Sequence, residues 1–168
     1  GHSNVGVGYN AGFGNATGAH NVAIGTSALD TVANTSQNVA VGSNSLTNNT
    51  ASNNTGVGYS ALNANTSGQK NVAVGSLSLD ANTTGTHNTG VGYNVLGANT
   101  TGTNMVAVGS QALDANTTGT HNVAIGQDAL GANTSGSQNT AVGANALDAS
   151  TSAGYNIAFG YNALGSNT

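Results

Sequence analysis

NVAIGQDALGANTSGSQ, Asn122 to Gln138, is one copy of a seventeen-residue unit that recurs about ten times and fills nearly all of the 168-residue chain. A glycine closes the apolar pentapeptide of every copy, at Gly8, Gly25, Gly42, Gly58, Gly75, Gly92, Gly109, Gly126, Gly143 and Gly160. Each step is seventeen residues except Gly42 to Gly58, which is sixteen. The missing residue is expected within SLTNNTASN (45–53), because loops absorb deletions at little cost. The chain stops at Asn167-Thr168 inside a unit and carries no distinct cap, so residues 1–168 read as one continuous array, a window on a longer repeat protein.

Counting each unit from its leading Asn as position 1, positions 2 and 4 are mostly β-branched, as in Val22 and Ile24 or Val123 and Ile125. Alternation on a two-residue period is a strand signal. Leucine follows at position 9 in every unit but the first, which has Gly12 there, and Ala often stands at position 11. Leu and Ala two apart predict a second short strand, with a single helical turn as the alternative; Asn, Gly and Thr crowd the segment and are poor helix formers.

Seventeen residues cannot bury an apolar face alone, so the units must stack. The expected fold is all-β, a parallel β-solenoid or β-roll with one coil per repeat. At a strand spacing of roughly 4.8 Å, ten coils make a rod of about 50 Å. Identical residues then form columns. Val41, Leu46, Val74, Leu79, Val108, Leu113, Ile125 and Leu130 are expected in a narrow valine and leucine core, and the recurring Gly at a corner with φ > 0. Position 3 is only ever Ala or Gly. On an alternating strand it faces away from the valines, which predicts that something, such as another chain, packs against it, the alternative being an exposed, tightly spaced ladder that tolerates Ala and Gly.

Composition excludes several classes. There is one Lys (Lys70), no Arg, no Glu and five Asp, so charged residues make up only 4%. A nucleic-acid partner needs clustered Lys and Arg that this chain lacks. Cys is absent, which rules out disulfides and thiolate metal sites. No apolar run approaches the roughly 20 residues of a bilayer span, so no membrane segment is expected in this window. His20, His87 and His121 share position 17 but never occupy adjacent coils, and Asp30, Asp80, Asp114 and Asp148 are as scattered at position 10. No metal site, cofactor or catalytic residue is expected from them, and the chain reads as a non-enzyme.

MVAVGSQALDANTTGTHNVAIGQDAL (105–130) resembles the head repeats of YadA-like trimeric autotransporter adhesins, built on xVAIGxxAxAxG motifs. It is more similar still to the NTAVGYxALxxNTTG arrays of bacterial surface and phage tail-fibre-like proteins. The resemblance spans residues 4 to 168; the units here are longer, with extra residues in the ANTTG turn. It implies a parallel β-roll, self-association as a homotrimer or fibre, and a role at the cell surface, outside the cell or on a virion appendage.

The turn carries Asn-x-Ser/Thr sequons at Asn15, Asn34, Asn48, Asn53, Asn65, Asn82, Asn99, Asn116 and Asn133. These are candidate N-glycosylation sites, and occupied sequons would coat the rod with covalent glycans. The leading Asn column is read as structural, bonding from coil to coil. Tyr9, Tyr59, Tyr93 and Tyr161 follow the corner Gly, either covering the corner or stacking on sugars. The expected function is an extracellular fibre or stalk module. An adhesin head for host matrix or glycan is the alternative. A lesser one is an ice-binding solenoid using aligned Thr66, Thr83, Thr100, Thr117 and Thr134.

Overall fold

The computed structural model describes residues 1–30 and 34–166; the chain end at Asn167 and Thr168 lies outside them. Ten three-residue strands form a single parallel sheet in chain order. They are β1 (Val5–Val7), β2 (Val22–Ile24), β3 (Val39–Val41), β4 (Thr55–Val57), β5 (Val72–Val74), β6 (Thr89–Val91), β7 (Val106–Val108), β8 (Val123–Ile125), β9 (Thr140–Val142) and β10 (Ile157–Phe159). The fold is thus the all-β solenoid that the period predicts, and β1 to β10 lie about 43 Å apart at nine strand spacings. Register is unbroken: Ala107 pairs with Ala124, and Val39 pairs with Thr55 across the sixteen-residue coil. There the lost residue lies in the loop after Asn49, whose Nδ2 donates to Ala51 O at 2.7 Å where a full coil uses the Gly carbonyl three residues on.

The expected second strand does not form, and neither does a helical turn. Positions 5 to 12 are a run of tight turns, closed in one coil by Ala112 N to Gly109 O at 3.4 Å, Asp114 N to Gln111 O at 3.4 Å and Asn116 N to Leu113 O at 3.1 Å. Gln111 (φ 58°) and Leu113 (φ 54°) are the third residues of the first two turns, where a type II turn requires positive φ. A left-handed Leu costs about 1–2 kcal/mol. In return it aims peptide groups alternately up and down the stack: Gln111 N bonds Tyr93 O of the coil before at 2.9 Å, and Leu113 N bonds Ala129 O of the coil after at 3.0 Å. The turn therefore joins the coil-to-coil ladder without being a strand. Gly25 shows why the corner is glycine. Its φ is 130°, and a Cβ there would sit 2.6 Å from the carbonyl carbon of Gly42.

The inside of the coil corrects the expected core. Leu46, Leu79, Leu113 and Leu130 are fully buried, but the strand valines are not inside. Val41 is half-buried, while Val74, Val108 and Ile125 are 36%, 36% and 40% exposed on the outer face. The inward strand residue is position 3: Ala40, Ala73, Ala107, Ala124 and Ala141 are all fully buried. What packs against it is the coil's own interior, Leu at position 9 and Ala at position 8, and not another chain. Space is the reason. A Cβ on Gly56 would lie 2.6 Å from Ser45 Oγ, and one on Gly90 would lie 3.0 Å from Val95 Cγ1. Ser45 and Ser78 at position 8 each press on a Gly at position 3 of the following coil, Gly56 and Gly90, so added volume in one coil is offset in its neighbour.

Candidate functional surfaces

Two columns of asparagine line the interior beside the leucines. At position 1, each Asn Oδ1 accepts the backbone N–H of position 1 in the next coil, as from Asn71 to Asn54 at 3.0 Å and Asn139 to Asn122 at 2.9 Å. Its Nδ2 donates to a backbone carbonyl, in most coils that of the Gly fourteen residues on, as Asn88 does to Gly102 at 2.8 Å. At position 12 the amides bond one another directly: Asn82 to Asn65 and Asn99 to Asn82 at 2.8 Å, Asn116 to Asn99 at 3.0 Å and Asn133 to Asn116 at 3.1 Å. These Asn are polar groups in a core, tolerated because donors and acceptors are nearly all matched.

The second column overturns five of the candidate glycosylation sites. Asn65, Asn82, Asn99, Asn116 and Asn133 are fully buried. Their Nδ2, the atom a glycan would occupy, is hydrogen-bonded in every case; that of Asn82 donates both to Asn65 Oδ1 and to Gly85 O. A sequon repeats here because NTT and NTS build this turn. Of the earlier ones, Asn34, Asn48 and Asn53 lie off position 12 and are exposed, while Asn15, at position 12 of the first coil, is half-buried.

Among the described residues, each ladder is interrupted. Met105 replaces Asn in the first column; it still receives Asn88 Oδ1 at 3.1 Å on its own N–H but has no oxygen for the Asn122 amide. Its sulfur takes a 3.4 Å contact from Asn116 Nδ2. Ser150 replaces Asn in the second column, leaving Asn133 Oδ1 and Ser150 Oγ buried without partners.

Ionisable side chains stay on the outside. His20, His87 and His121 are exposed, and among the described residues no three His, Cys, Asp or Glu converge as metal ligands. Burial pushes the carboxyls of Asp80, Asp114 and Asp148 up, and nearby Asp128 adds to this at Asp114 and Asp148. Gly131 keeps a gap between Asp114 and Asp148: a Cβ there would lie 2.9 Å from Asp148 Oδ1 and 3.7 Å from Asp114 Oδ1.

Thr66, Thr83, Thr100, Thr117 and Thr134 do stack, but each hydroxyl donates to the carbonyl of the Thr in that column one coil on, at 3.0–3.1 Å. They staple the turn and form a single column. The flat repeating surface is instead the outer face of the sheet, where positions 2 and 4 present Val or Ile at nearly every coil, with Thr55, Thr89, Thr140 and Phe159 as the exceptions. Beyond its corner stand the exposed rings of Tyr9, Tyr59, Tyr93 and Tyr161.

Against protein-family models, curated proteins and solved structures, the chain finds no match. Function must therefore be argued from the columns. The sequence identified the leucine column and the corner glycines; it missed the inward position 3 and the buried amide of the sequon. The signal for the latter was present: an Asn that keeps step with the core Leu shares its environment.

Proposed function

We propose that the chain is a non-enzymatic structural module, a stiff rod of a surface fibre or stalk, whose copies associate side by side through the outward valine face. One observation carries this reading. The ten strands alone present a strip about 43 Å long and 10 Å wide, on the order of 400 Å² of β-branched apolar surface in unbroken register. A patch of that size matches the largest apolar patch of a typical monomer, which is often functional. All five Asp lie at positions 7 and 10, away from the strip, so copies meet there without carboxylate repulsion. Stiffness comes from the ladders, since strand, turn and amide columns all bond coil to coil.

In the homotrimer that the family resemblance suggests, three such faces turn toward a common axis; placement on a cell or virion surface rests on the same resemblance. Sedimentation equilibrium across about 1–100 µM tests the assembly, with a three-chain mass expected. Val74→Asp with Val108→Asp should return it to one chain while the β circular dichroism persists. A wild-type chain that sediments as a monomer throughout would sink the proposal.

A further inference from the structure

The residue after the corner Gly alternates in size from coil to coil. In the second, fourth, sixth, eighth and tenth coils it is Thr26, Tyr59, Tyr93, Gln127 and Tyr161. In the third, fifth, seventh and ninth it is Ser43, Ser76, Ser110 and Ala144; Tyr9 of the first coil is the one large residue out of phase. A seventeen-residue period gives no reason for this doubling, and neither does packing: Tyr59, Tyr93 and Tyr161 are 55%, 54% and 79% exposed. Parallel register puts these side chains in one column along the rod. Two strand spacings separate Tyr59 from Tyr93, about 9.6 Å, and four separate Tyr93 from Tyr161, about 19 Å. The Ser or Ala between them leaves each ring open on its flanks.

We infer that this column is a binding track for an extended β-1,4-linked polysaccharide running parallel to the rod axis. In such a chain each sugar is flipped relative to the last, so the same apolar ring face recurs every second residue, at nearly the spacing of two coils. A tyrosine supplies an apolar ring for that face and a hydroxyl for the sugar edge. Left-handed Ser60, Asn94 and Asn162 follow the three in-phase tyrosines directly in the chain. Chain polymers without the two-fold flip, such as β-1,3-glucans, do not repeat a face in this way. The strip of valines stays available for self-association, since the tyrosines lie past the glycine corner.

The test is co-sedimentation of the full chain with insoluble cellulose and with chitin, alongside titration with cellohexaose and chitohexaose followed by chemical-shift change. Retention on at least one polymer is expected, with a β-1,3-glucan giving none. Tyr59→Ala with Tyr93→Ala should weaken binding at least about tenfold, while Tyr9→Ala, in the same column but out of phase, should change it less than about twofold. All three rings are exposed, so the variants should keep the wild-type melting temperature. No retention on either polymer, equal retention on the β-1,3-glucan, or an equal loss from Tyr9→Ala would overturn the assignment. Sugar binding and chain mass are read separately, so a monomer that holds cellulose would refute the assembly and leave the track standing.

Discussion

Ala107 shares strand β7 with Val106 and Val108, yet the smallest of the three is fully buried and the larger two are 40% and 36% exposed. In a globular core the order would be reversed. A seventeen-residue coil has so little cross-section that volume, not hydrophobicity, decides which strand face turns inward. The interior takes a methyl from the strand, a Leu from the turn and two amides, and the better hydrophobes are left outside. Hydrophobic burial is then available only by bringing up another surface.

The comparison breaks most sharply if a gain in hydrophobicity inside destabilises the rod. Asn99→Leu removes donors to Asn82 Oδ1 and Gly102 O and the acceptor for Asn116 Nδ2. Gly102 O keeps its bond from Asn88, so Asn82 Oδ1 and Asn116 Nδ2 are the groups that lose a partner; at about 1–3 kcal/mol each, a loss of roughly 2–6 kcal/mol is expected from urea denaturation. Leu113→Ala, which opens a cavity in the leucine column, should cost about 2–5 kcal/mol. Ala107→Val, only a modest enlargement, should cost about 1–3 kcal/mol by overpacking. Its counterpart Val106→Thr should shift the single chain by less than about 0.5 kcal/mol, because Thr already holds that place at Thr55, Thr89 and Thr140. If Val106→Thr proved the costlier, the valine face would be a core after all.

How the sequence could be read follows the same division. Period, corner and leucine column were legible because they depend on spacing alone. The facing of the strand was not, since Val-Ala-Val alternates equally well whichever way it points, and a preference for burying the larger residue picks the wrong face. The turn misled for a different reason: Leu79 and Ala81 are two apart, as in a strand, but the left-handed φ of 53° at Leu79 produces the same ladder through a turn. No propensity anticipates a left-handed leucine; only the need to bond both neighbouring coils explains it.

The two amide ladders offer a gain rather than a loss. Met105→Asn restores an acceptor for the Asn122 amide and a donor for Gly119 O, at the expense of the weak sulfur contact to Asn116. A net increase of about 1 kcal/mol is expected. Ser150→Asn should do the same for the unpartnered Asn133 Oδ1. The two sites are two coils apart and are linked through Asn116 and Asn133, so the double variant should depart from additivity. A loss from Met105→Asn would mean that its apolar contacts outweigh the ladder.

Smallest is the effect of pH, and its sign is opposite to ordinary acid denaturation. Asp80, Asp114 and Asp148 have carboxyls raised above the ordinary 3.8, by burial first and, at Asp114 and Asp148, by the charge of Asp128. The folded chain therefore holds these protons more tightly than the unfolded one. Stability is greatest below 3.8, falls as pH rises through the window up to the raised values, and is level beyond it. The urea midpoint at pH 4 should equal or slightly exceed that at pH 7. Asp114→Asn, which keeps the shape and removes both the desolvated charge and its repulsion with Asp128, should raise the pH 7 midpoint and narrow the difference. A midpoint that instead fell steeply toward pH 4 would mean that the carboxylates, and not the neutral columns within, hold the coils together.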